Sequence, residues 1–177
     1  FPQNHWPKAT EAETNEMDVE IFSSTSPEQT QEFGENFALR LRPGDVVAFY
    51  GELGAGKTEF IKGICIGFRV EEIVSSPTFT VVNQYEGEDK KEKPIAIFHM
   101  DLYRINSIAE LREVGFQELI QDQQGVKLVE WAEYAESLLP PHRYDIHFYC
   151  DDADSNTRRI EVMQVIPATS ASSAALM

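Results

Sequence analysis

Apolar and polar positions follow one another along the chain in blocks that predict interleaved strands and helices. Val19 to Phe22 reads as a short strand, and Ser26-Pro-Glu-Gln29 supplies a capping hydroxyl with proline at the first helical position. Phe33, Phe37 and Leu41 then recur every four residues, one apolar stripe on a helix that Arg42-Pro-Gly-Asp45 terminates. Asp45 to Tyr50 is a short, nearly continuous apolar run, the pattern of a central parallel strand covered on both faces. Beyond a glycine-rich loop, Phe60, Ile61, Ile64 and Phe68 mark a helix from Lys57 to about Phe68. Ser75 to Thr78 forms a turn. Two β-rich runs, Phe79 to Tyr85 and Ile95 to Leu102, flank a charged, solvated loop and predict a hairpin. Short helices between Ser107 and Ile120 precede a strand at Val126 to Glu130, a helix from about Trp131, and strands near Asp145 to Tyr149 and Arg159 to Val165. This order predicts an α/β fold of three layers around a mixed parallel and antiparallel central sheet.

Residues 1–18 are polar and acidic without an apolar period, and 167–177 are small and rich in Ser and Ala. Both are expected as flexible extensions of one domain spanning 19–166. No apolar stretch approaches the roughly 20 residues of a membrane span. The opening FPQNHWPKAT lacks the basic start and apolar run of a secretory signal, which points to the cytoplasm. Cys65 and Cys150 lie far apart with no metal or redox spacing, so both are expected as core thiols. Thirty acidic against fifteen basic residues give a net charge of −15, which works against broad contact with a nucleic-acid backbone. Docking on a basic partner is a second reading of that acidity.

The candidate chemistry starts at Gly51-Glu-Leu-Gly-Ala-Gly-Lys-Thr58, a full match to G-x-x-x-x-G-K-[ST]. Its glycines let backbone N–H groups turn inward around a phosphate chain, and the following helix adds its positive end. Lys57 is then expected at the β- and γ-phosphates and the Thr58 hydroxyl on Mg²⁺. Such a loop needs a carboxylate at the end of a neighbouring strand, and two runs supply one: Ile95 to Asp101 and Val126 to Glu130. Both acids are expected at the metal site. Thr78 occupies the place of a hydroxyl that senses the γ-phosphate or, equally, an ordinary turn. Trp131 reads as a stacking group or a core anchor, His99 as packing within its strand, and Tyr103 and Arg104 as surface or functional groups. Asp122-Gln-Gln-Gly125 fits the D-x-x-G of GTPases but precedes its strand rather than following one, and N-K-x-D is absent from the sequence, which favours ATP.

Taken together, GELGAGKT, SSPTF, HMDLYR and VEWAE, in that order and spacing, closely resemble the TsaE family, formerly YjeE, over about residues 19–165. The resemblance implies a P-loop NTPase fold and a bacterial Mg²⁺-dependent ATPase. It further implies a role in making threonylcarbamoyladenosine, the modification of the adenosine beside the anticodon of tRNAs that read codons starting with A. It implies TsaD and TsaB as partners, which transfer the group while the ATPase keeps them cycling, so that this chain need not touch tRNA. Carried over, Glu52, Leu53, Gly54, Ala55, Gly56, Lys57 and Thr58 bind phosphates, Thr58 and Glu130 hold Mg²⁺, Asp101 supports hydrolysis and Thr78 acts as the switch. Pro27 to Thr30 resembles the segment near the base, Trp131 follows the metal-binding acid, and Arg158 or Arg159 reaches the nucleotide. Two positions depart from the family pattern. Glu59 stands where a second hydroxyl is common, an acid expected to weaken nucleotide binding, and Ala132 replaces a frequent Pro. Two other classes fit the loop alone, a small-molecule kinase and a nucleotide-gated binding module.

Overall fold

The computed structural model describes residues 19–167, so the expected extension at 1–18 and all but the first residue of that at 167–177 lie outside the described residues. Strand β1 (Val19–Ser24) leads into helix α1 (Pro27–Ala38). The Ser26 hydroxyl accepts from the Gln29 N–H at 3.2 Å, satisfying one of the donors that a helix start leaves free. The helix ends before Leu41, because Arg40 and Leu41 donate to Phe37 and Ala38 in three-residue turns, and that tightening is what carries Leu41 into the core.

Strand β2 (Val46–Tyr50) is buried at every position, as its apolar run requires. It feeds the phosphate loop and helix α2 (Lys57–Gly67). The hairpin is present as β3 (Val82–Glu88) and β4 (Pro94–Asp101), antiparallel, but β3 starts later than its sequence pattern. Phe79 and Thr80 belong to the preceding turn, closed by the Val81 N–H on the Pro77 carbonyl, and the Phe79 ring is 85% exposed. Helices α3 (Ile108–Glu113) and α4 (Phe116–Gln121) precede β5 (Gly125–Glu130), a 3₁₀ helix at Ala132–Leu138, β6 (Arg143–Cys150) and β7 (Arg158–Val165).

The strand order is β1-β7-β6-β2-β5-β4-β3. β4, β5, β2 and β6 form a parallel centre, and β3, β7 and β1 extend it antiparallel. Alternate residues of these strands point to opposite faces. Val47, Phe49, Leu128 and Ile146 pack with Phe37, Phe60, Ile61 and Ile64 of α1 and α2. Ala48, Met100 and Val129 pack on the other face with Leu111, Phe116, Ile120 and Ala132. Helices α1 and α2 meet closely through Gly34 and Gly63: a Cβ on Gly63 would lie 2.0 Å from the Gln31 carbonyl oxygen.

Two details correct the sequence reading. Cys65 is a core thiol, its acidity suppressed by burial to a pKa of about 12, but Cys150 ends β6 at the edge of the packed layer and is exposed. The segment after Trp131 is 3₁₀ rather than α, starting from a left-handed Trp131 at φ 58°. The Asp122-x-x-Gly125 motif has a structural part: the Asp122, Gly44 and Gly125 carbonyls accept from the fully buried Lys127 ammonium. Among the described residues no helix is long and apolar enough to cross a membrane.

Candidate functional site

The loop leaving β2 bends through three glycines at positive φ, Gly51 (143°), Gly54 (77°) and Gly56 (105°). Side chains rarely adopt these angles, so the motif's glycines are required by the turn itself. No side chain caps the start of α2, which leaves its first N–H groups and positive dipole end facing the cavity. That cavity, about 410 Å³, is lined by Leu53 to Glu59, Ser76, Thr78, Asp101, Tyr103, Glu130 and Trp131.

Lys57 is almost fully buried, and its ammonium donates to the carbonyls of Gly51 (2.5 Å) and Glu52 (2.9 Å). It also lies 4.0 Å from the centre of the Trp131 ring, a cation–π contact. Burial lowers its pKa, opposed by the nearby carboxylates of Glu130, Glu133 and Asp101. The Thr58 hydroxyl donates to both oxygens of Glu130, at 3.0 and 3.1 Å. Asp101 and Glu130 are register partners at the ends of β4 and β5, so parallel pairing delivers both acids to the loop side by side. One Asp101 oxygen accepts from the Ser76 hydroxyl and from Thr78 (2.8 Å), the other from the Tyr103 N–H (2.9 Å). A hydroxyl beside a carboxylate is a donor set for a cation that draws its remaining ligands from phosphate and water.

The peripheral positions divide. Thr30 is buried with its hydroxyl engaged by Ser24 and the Ser26 carbonyl, and its methyl group faces Gly56. Pro27 opens α1 and is not part of the cavity lining. Glu52 turns toward a second cavity, about 630 Å³, on the far side of Trp131. Arg158, not Arg159, is directed at the loop, donating to the Gly54 carbonyl at 3.4 Å, whereas Arg159 is held by Glu161 and the Tyr149 ring. Arg104 covers the exposed Phe79 ring. The Glu59 acid accepts from Gln31 (2.6 Å) and Lys62 (2.8 Å). Burial raises its pKa, but these two donors outweigh burial and lower it overall, so its charge is compensated locally.

A sequence profile described as "Threonylcarbamoyl adenosine biosynthesis protein TsaE" matches residues 24–160, a span that holds the phosphate loop, Asp101, Glu130 and Arg158. The chain belongs to the TsaE family. Relatives named "tRNA threonylcarbamoyladenosine biosynthesis protein TsaE" include that of Bacillus subtilis, 39% identical over 70% of this chain and 73% of the relative. That of Treponema pallidum is 36% identical over 70% of this chain and 86% of the relative. The crystal structure of Bacillus subtilis YdiB superposes with a TM-score of 0.67 at 31% identity, covering 86% of this chain and 89% of that one. The mixed α/β sheet is thus the fold of the TsaE family.

Two residues of this TsaE site escape the sequence reading. Ser76 shares the Asp101 oxygen with Thr78, and the only prior signal was its place in SSPTF. His99, read as packing, bonds Glu130 through Nε2 at 2.7 Å. Its position two residues before Asp101, on the same face of the strand, was the signal available.

Proposed function

We propose that this chain is the Mg²⁺-dependent ATPase of tRNA threonylcarbamoyladenosine biosynthesis, hydrolysing ATP to cycle a TsaB–TsaD transferase. The observation that carries the reading is the Thr58–Glu130 pair at the mouth of an uncapped phosphate loop, with Asp101 in register beside it. In this reading backbone N–H groups of Gly54 to Thr58 cradle the phosphates, and the Lys57 ammonium leaves the Gly51 and Glu52 carbonyls for the β- and γ-phosphate oxygens. Thr58 and Glu130 hold Mg²⁺, which supplies charge neutralisation on the phosphates when bound. Asp101, steadied by Ser76 and the Tyr103 N–H, orients the attacking water. Thr78 is the switch, since its hydroxyl can exchange Asp101 for the γ-phosphate. Arg158 reaches the loop at the Gly54 carbonyl, and the Thr30 methyl group faces Gly56.

The surplus of acids supports a chain that acts through protein partners and leaves tRNA contact to them. The test is ATP hydrolysis with Mg²⁺ by the chain alone and with TsaB and TsaD from the same source. A slow rate that rises with the partners is expected, together with loss of at least about 100-fold in Lys57→Ala, given the charge this lysine would place on the phosphates. A rate in Lys57→Ala equal to wild type, or phosphate transfer to an added small molecule with no response to the partners, would refute the proposal.

A further inference from the structure

His99 is fully buried two residues before the end of β4, and only one of its ring nitrogens has a partner. Nε2 lies 2.7 Å from Glu130 Oε1, whereas Nδ1 is buried with no hydrogen-bond partner among the described residues. A purely packing role is poorly served by such a ring, because an unpaired buried nitrogen carries a desolvation cost that Leu or Phe would avoid. Its placement follows from the sheet. His99 pairs with Leu128, two residues before Glu130 on the same face, so the ring reaches diagonally across to the carboxylate. A carboxylate can only accept, so Nε2 carries the hydrogen and donates it.

The donors to Glu130 differ in what they are free to do. Thr58 faces the cavity and, in the reading proposed above, turns its oxygen to the metal, releasing both carboxylate oxygens. His99 cannot turn away, since it is enclosed in the sheet and does not line the cavity. It is then the one side-chain donor left on Glu130 among the described residues. We infer that His99 is a positioning residue for the metal site: its Nε2–H fixes the Glu130 carboxylate with one oxygen tied inward and the other presented to a divalent cation. Partners behind a ligating carboxylate commonly set metal affinity in this way. The inference rests on Glu130 being a magnesium ligand.

The test reads metal binding directly, using Mn²⁺ as a paramagnetic probe in the presence of ADP, with ADP affinity in EDTA and thermal unfolding as controls. His99→Leu should weaken Mn²⁺ binding about 10–100-fold, with ADP affinity in EDTA unchanged. His99→Gln, whose amide nitrogen reaches roughly where Nε2 lies, should restore binding to within about threefold of wild type, whatever its melting temperature. Should His99→Leu fail to fold, His99→Asn replaces it, being too short to reach Glu130. Wild-type Mn²⁺ affinity in the Leu or Asn variant, or a Gln variant as weak as they are, would overturn the inference while leaving the ATPase reading intact. Failure of the wild-type chain to bind Mn²⁺ with ADP would overturn both.

Discussion

His147 lies face to face with Tyr50, ring centres 4.5 Å apart and planes within 8°, on the sheet face opposite α2. Burial holds its pKa below the ordinary 6.5, against the pull of Asp145 and Glu161. As pH falls through 6.5, the unfolded chain takes up a proton that the folded chain refuses, so stability present above that pH is lost below it. Wild type should therefore lose more melting temperature between pH 7.5 and 5.5 than His147→Phe, which keeps the stacked ring and has nothing to titrate. Equal losses in calorimetry would show that this histidine does not set the acid limit. Single residues also divide by how they could be foreseen. Lys57, Thr58, Asp101 and Glu130 were legible because a contiguous motif names the first two and apolar runs lead to the others. Their neighbours were not, since His99, Ser76 and the choice of Arg158 over Arg159 depend on which strands lie side by side and which way a side chain turns at a strand end.

Elements were legible wherever one local rule governs them. The cap at Ser26, the buried run of β2 and the loop-to-helix join at Lys57 are all set by a few adjacent residues. Boundaries slipped where tertiary contacts decide, as at the start of β3 and at the left-handed Trp131, whose ring is packed against Tyr103 and over Lys57. The close approach of α1 to α2 is set by small residues four apart, Gly34 and Ala38 on one helix and Gly63 and Gly67 on the other, which a reading of apolar stripes passes over. In an exposed helix, Gly→Ala stabilises by about 1 kcal/mol. At Gly63 the sign should reverse: a methyl group directed into the Gln31 carbonyl forces the helices apart, with a cost of about 1–3 kcal/mol or more. Urea unfolding of Gly63→Ala measures this. Since α2 carries Lys57 and Thr58, weaker ADP binding should accompany the loss. A gain in stability would mean that the two helices have room to spare.

Across the whole molecule, the chemistry is confined to the middle of the sheet. β2 launches the loop, β5 and β4 bring the two acids, and the outer strands β1 and β3 contribute none of these groups. A sheet comes apart most readily from its margins, and amides in its centre are released only when nearly everything opens. Backbone amides of β2 and β5 should accordingly exchange with deuterium at close to the global unfolding rate, those of β1 and β3 much sooner. Addition of ATP and Mg²⁺ should slow exchange in 51–58 and 76–81 and leave β2 and β5 as they were. Mass spectrometry of peptic fragments would expose the opposite pattern, in which β2 and β5 are themselves stiffened by nucleotide. Because no residue of β1 lines the cavity around the phosphate loop, that margin can open and re-form while the loop, Asp101 and Glu130 stay in place, whereas β3 is tied to the site, its Asn83 and Tyr85 side chains holding the Ser75 carbonyl next to Ser76 and Thr78.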